Sequence, residues 1–224
     1  MIDQLRIGDK YSYDDFEASV KERKKTSPKK KKIKETVPFS NQTYDFSAIN
    51  GEVYWEEREL TYVFEITASS AEELEAKKQP FVSWVMNVMN EEIHDPFIEN
   101  YHFIGTFADI EEDDSEFEKS TITVKFTAYP YMLANIKTSF SDRVASDSPF
   151  DMVIINKSSH RVVPTIWASC PVLLKYGNVS YDLAAIPAKL TSSLFTLEVG
   201  ENTLTVQGKG QVGNIFVEFV EEVF

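Results

Sequence analysis

The side chains able to do chemistry are few and scattered. Three histidines, His94, His102 and His160, and a single cysteine, Cys170, are the candidate ligands and nucleophiles. His94 and His102 fit neither the i, i+4 pair of a helical metal site nor a zinc-module spacing. His160 sits beside Arg161 in a polar stretch, and Cys170 precedes Pro171 with no nucleophile signature around it. These are expected to be incidental strand or surface histidines and a buried structural thiol. Carboxylates cluster at Glu72-Glu73, Glu91-Glu92, Glu111-Glu112-Asp113-Asp114 and Glu221-Glu222. A glycosidase needs two acids facing each other across a cleft; neighbours in sequence point instead to a solvated acidic face. Gln207-Gly208-Lys209-Gly210 lacks the spacing of a phosphate loop. The expectation is a protein that is not an enzyme, with no catalytic, cofactor-binding or metal-binding residues.

Charge narrows the partners. Net charge is −13, yet the segment from Lys21 to Lys34 holds nine Lys/Arg against one Glu, which leaves −21 on the rest. So acidic a body repels nucleic-acid phosphates, so no specific nucleic-acid binding is expected. The basic segment has no interleaved aromatics on which bases could stack. It is read as a solvated loop or mobile arm, suited to an acidic neighbour. No apolar run approaches the ~20 residues that span a bilayer, and the N-terminus has no signal-peptide pattern. With one cysteine, no intrachain disulfide is possible, and folding in a reducing cytosol is expected.

The elements that must position these residues read mainly as β, with 13% aromatics concentrated in alternating runs. Gly8–Phe16 alternates aromatic and polar residues as a strand or arm would. Turn chemistry lies at Val37-Pro38-Phe39-Ser40-Asn41 and Asn50-Gly51. Leu60, Tyr62, Phe64 and Ile66 share one face of a strand. From Ser70 to Asn90 the chain reads as one kinked helix or two short ones. Ser70 and Glu73 form a capping box, Pro80 sits inside, and Leu74, Phe81, Val85, Val88 and Met89 lie near one face. Its broad apolar side, with Phe81 and Trp84, could meet core or a subunit interface.

Strands resume at Tyr101–Phe107 and Ser120–Tyr129. Residues 1–134 thus form an α+β domain, and the polar residues 135–150 a linker. Residues 151–224 carry six short apolar runs: Met152–Ile155, Val163–Ala168, Val172–Tyr176, Ser193–Leu197, Leu204–Gln207 and Ile215–Val220. They suggest a small sandwich of jelly-roll type. Trp167, Tyr176, Tyr181 and Phe195 are the aromatics on which a sugar could stack there, although a small β core needs aromatics too.

An ordered series of segments resembles the phage distal tail proteins of siphophages, prophages and tailocins. Its pieces are Gly8–Phe16, Val37–Phe46, Asn50–Leu60, Tyr101–Phe107, Ala128-Tyr129-Pro130-Tyr131 and Gly200-Glu201-Asn202. The resemblance spans nearly the whole chain. It departs from the family's pattern at Phe39-Ser40-Asn41, where many relatives have a glycine-rich turn, and in the length of the basic segment. The resemblance implies a belt domain that closes into a hexameric ring around the tail channel, and a galectin-like C-terminal domain outside it. It further implies partners: other copies of the chain, the tail tube protein, the tail-tip hub protein and, in some relatives, a receptor-binding protein. The implied location is the virion tail tip, after synthesis in the bacterial host cytoplasm, with no membrane and no cofactor involved. A carbohydrate-binding adaptor contacting the host surface is the alternative.

Overall fold

The structure is a computed structural model, and it describes residues 3–36, 39, 41, 43–47, 53–116 and 118–224. The turns expected at Val37-Pro38 and Asn50-Gly51 lie outside the described residues. The chain divides into two compact units, Met1–Met132 with Phe224, and Leu133–Val223.

In chain order the first unit has β1 (Arg6–Ile7), β2 (Lys10–Tyr11), β3 (Ser19–Lys25), β4 (Lys34–Thr36) and β5 (Thr43–Asp45). There follow β6 (Arg58–Thr67), α1 (Ala71–Met86), β7 (Glu91–His94), β8 (Tyr101–Glu116) and β9 (Lys119–Ala128). The period-two pattern of β6 and β9 sets the core. Leu60, Tyr62, Phe64 and Ile66 on one strand, and Ile122, Val124 and Phe126 on the other, are all fully buried. The two strands pair antiparallel from Arg58↔Ala128 to Thr67↔Lys119. Around that ladder the sheet runs β2-β1-β7-β8-β9-β6-β3, while β4 and β5 pair separately.

Helix α1 covers the apolar face of this sheet. Ser70 caps it by accepting from the Glu73 amide at 3.2 Å. Glu73 reaches back one residue further than a capping box requires, accepting from the Ser69 amide at 2.9 Å. Phe81 packs edge-on against Phe64 with centroids 4.9 Å apart. Buried Lys78 ties the helix to β8, its ammonium 3.0 Å from both Glu75 and Glu112. Pro80 neither splits nor restarts the helix: it and Ala76, whose carbonyl it leaves unpaired, are both exposed, so water serves that carbonyl. Met89 departs from the expected apolar face and is 76% exposed. The helix has ended at Met86, and in the extended chain beyond it Val88 and Met89 point opposite ways.

The basic segment is not one solvated loop. Its first third is β3, the edge strand, paired to β6 with a bulge between Val20 and Glu22. The bulge turns Arg23 inward, opposite Tyr62. There its Nε donates to buried Asp95 at 3.1 Å, its terminal nitrogen donates to Asp3, and its guanidinium stacks over Phe97. Burial alone would lower the Arg23 pKa, but the bonds to Asp3 and Asp95 outweigh it and leave the pKa raised.

In the second unit the chain runs β10 (Met132–Ala134), β11 (Thr138–Val144), β12 (Phe150–Asn156), β13 (Thr165–Ala168), β14 (Val172–Tyr176) and β15 (Val179–Leu183). Then come β16 (Leu190–Thr191), a 3-10 turn at Ser193–Phe195, β17 (Gly200–Gly208), β18 (Gly213–Phe219) and β19 (Glu222–Val223). Two four-stranded sheets, β11-β18-β13-β16 and β12-β17-β14-β15, share one core that includes Ile166, Val217, Leu174 and Val206. The expected linker is therefore corrected: Thr138–Val144 pairs along its length with β18. Its serines sit on an edge strand with one face in water, and this hid the strand from an apolar count. Ser193–Leu197 is likewise no strand; Ser192 caps a 3-10 turn there. Two buried asparagines hold the loops. The Asn156 amide donates to the His160 and Leu197 carbonyls, both at 3.1 Å. Asn202 donates to the Glu198 and Gly200 carbonyls and accepts from Tyr176 at 2.7 Å.

Removing Arg23 strands a buried carboxylate, so Arg23→Met should lower stability by about 3–5 kcal/mol in a urea titration. Glu73 is held down to about 2, first by Lys77 and then by Ser69. A carboxylate with a depressed folded pKa contributes stability above its unfolded pKa and loses it as pH falls through the folded value. Stability measured between pH 4.5 and 2 should therefore drop less steeply in Glu73→Gln than in the unsubstituted chain.

Candidate functional site

Period-two alternation leaves the sheet of the first unit with a second, polar face. Thr61, Val63 and Glu65 on β6 and Thr121, Thr123, Lys125 and Thr127 on β9 point away from the helix, all of them partly exposed. Glu65 links Lys21 at 2.7 Å with Lys119 at 2.9 Å. Lys125 lies 3.1 Å from Asp109 and 2.7 Å from Glu111, which puts these two acids of β8 on this face, while Glu112, next along the strand, turns to the helix. At one end of the sheet order is β3, which pairs with β6 alone among the described strands; the Val20 amide at its start is taken by the Asp3 carbonyl at 2.9 Å, and the rest of the edge has no partner strand among the described residues. Such an edge is a template for a further strand.

Beside that edge lies a cavity of about 510 Å³ whose walls include Lys25, Thr26, Trp55, Arg58, Ile98 and Phe103. Arg58 is only 7% exposed, and its Nε has no hydrogen-bond partner among the described residues. The guanidinium stacks 5.5 Å from the Phe103 ring centroid, and burial pulls its pKa below the usual value. A buried cation without a counter-charge is costly. An anionic group such as a carboxylate entering the cavity would offset that cost. In sequence, Arg58 was only one charge among Glu56-Glu57-Arg58-Glu59 and gave no signal.

Sequence spacing set His94 and His102 apart, whereas the sheet brings them together. β7 and β8 pair with Glu92 opposite Ile104 and Ile93 opposite Phe103, which sets His94 across from His102. Their rings stack at 4.8 Å. Glu92, two residues before His94, shares its face, and its Oε2 accepts from His94 Nε2 at 2.9 Å. Desolvation lowers the His94 pKa, against the opposing pull of Glu92. On the opposite face Gly105 of β8 leaves room for the Ile93 side chain, since a Cβ there would meet Ile93 Cδ1 at 2.6 Å. The spacing rule for helices and zinc modules does not see a cross-strand pair, so the meeting of these two rings is not legible from sequence spacing.

The other candidates separate. His160 pairs with Glu222 at 3.3 Å. Cys170 is buried, and its thiol pKa is raised by desolvation. Of the four aromatics considered for sugar stacking, Phe195 is in the core, and Tyr176 bonds to Asn202. Tyr181 is exposed on β15, and Trp167 stacks on Phe216 in the other sheet with Lys189 over its ring. Tyr176 and Tyr181 both meet the buried Phe195 ring, at 6.4 and 6.3 Å, whereas Trp167 belongs to the other sheet.

If Arg58 waits for an external anion, its replacement should relieve the isolated chain. Arg58→Met should match or exceed the parent in stability, by about 1 kcal/mol, in chemical denaturation. A loss of several kcal/mol would show that the guanidinium is already satisfied.

No family model and no curated protein matches the sequence. Among solved structures, a chain of the phage P2 baseplate in its activated conformation with Ca aligns over 97% of this chain and 98% of its own, at 8% identity and a TM-score of 0.43. The SPP1 Dit (gp 19.1) protein is described as a paradigm of the hub adsorption apparatus in phages infecting Gram-positive bacteria. It aligns over 100% of both chains with a TM-score of 0.70 at 11% identity. From end to end, through both units, the chain has the fold of the SPP1 Dit protein.

Proposed function

We propose that the chain is a structural component of a phage tail tip. Residues 1–134 form a belt that closes into a hexameric ring, and residues 151–224 form the body of a domain borne on it. The ring joins the tail tube protein to the tail-tip hub protein. The observation that carries this reading is the full-length correspondence with the SPP1 hub protein, in which neither chain has an unmatched domain. Local features support it. The β3 edge offers pairing to a neighbouring copy, the heterologous kind of contact that a closed ring repeats. Arg58 lies beside that edge in want of an anion, and the chain is rich in carboxylates. A body of net negative charge also suits a channel through which DNA must pass without adhering.

The alternative is a carbohydrate-binding adaptor. It rests on Trp167, which stacks on Phe216 under Lys189 rather than inside the core. One half-covered indole is a smaller basis than a full-length fold, so the assembly reading is preferred.

Light scattering across protein concentration, followed by negative-stain imaging, tests the ring. The expected species has six times the 25.6 kDa mass of the chain and a central hole, alone or with tube and hub proteins added. A chain that stays monomeric with both partners present would sink the proposal. Binding of the full chain to host cell-wall polysaccharide, abolished by Trp167→Ala in a protein that still assembles, would establish the adaptor role as well.

A further inference from the structure

We infer that Glu92, His94 and His102 form a divalent transition-metal site, with zinc the best fit, that clasps β7 to β8 on the polar face of the first unit. One carboxylate oxygen and one nitrogen from each ring all lie within 4.8 Å of one another. Glu92 Oε2 is 2.9 Å from His94 Nε2, and Glu92 Oε1 is 3.9 Å from His102 Nε2. Ligand legs of about 2.0–2.2 Å in a tetrahedral zinc site put neighbouring donor atoms about 3.3 Å apart. Small rotations of these side chains reach that spacing, and Glu92, the most exposed of the three, has the freedom to make the largest one.

The donor set selects the metal. Two imidazoles and a carboxylate suit zinc, cobalt, nickel or ferrous iron, whereas calcium and magnesium prefer oxygen alone. Three protein ligands leave a fourth position for water or for a group from another molecule. The backbone is already in place, because Glu92 and His94 are fixed by strand alternation and His102 by the register across from them. One charge opposes binding: Arg6 on β1 is opposite His94. Its effect is countered by Glu92 and by the net charge of −13 on the chain.

The test uses the full chain without a histidine tag, stripped with a chelator. Zinc titrated calorimetrically should bind at one ion per chain and raise the melting temperature. Cobalt should give the intense visible absorption of a low-coordinate site. Glu92→Gln and His94→Ala, both at partly exposed positions, should fold normally and weaken zinc more than tenfold. Arg6→Gln should tighten it. Absence of binding, or binding of the same affinity and stoichiometry in both ligand variants, would overturn the assignment. The readout needs no ring, so it stands apart from the assembly test.

Discussion

The ladder between β6 and β9 is the constraint on which the first unit depends. Ten consecutive residue pairs lock two strands whose alternate side chains are fully buried. A slip of one residue would carry Leu60, Tyr62, Phe64 and Ile66 into water and draw Glu59, Thr61 and Glu65 into the core. The helix has only one apolar surface to cover, so its position follows from the ladder. The strands at both margins inherit the register. Arg23 faces Tyr62 because β3 pairs with β6, and β8 takes its place from β9.

Legibility in the sequence tracked how far each element declares itself through local apolar pattern. The strand containing Leu60–Ile66 and the Ser70-capped helix were readable because burial there is periodic over several residues. β7 was not: Glu91-Glu92-Ile93-His94 has one buried residue, Ile93, and the pattern of a solvated turn. β11 failed for the same reason, and the basic β3 hid behind its charges, since an edge strand needs only Val20 and the stem of Arg23 against the core. The unread parts of the candidate site have a common origin. Arg58 and the histidine pair derive their meaning from neighbours far away in sequence, which only register and packing supply.

Polar groups in this chain fall into two physical kinds. Asn156, Asn202 and Lys78 are buried with their bonds made within the unit, and they fix loops and the helix in single positions. Arg58 is buried with its Nε bond unmade. The first kind serves the folded chain by itself. The second is a cost to the isolated chain.

The bulge in β3 has an evolutionary side. Lys21 is the extra residue: Val20 pairs with Phe64 and Glu22 with Val63, so the strand carries one more residue than its partner without exchanging inside for outside on either flank. Removing Lys21 would leave both flanks facing as they do. An edge of this kind can gain or lose a residue without disturbing the core behind it. Lineages can then drift in length as well as in composition, and a fold shared at 11% identity is the outcome such tolerance allows.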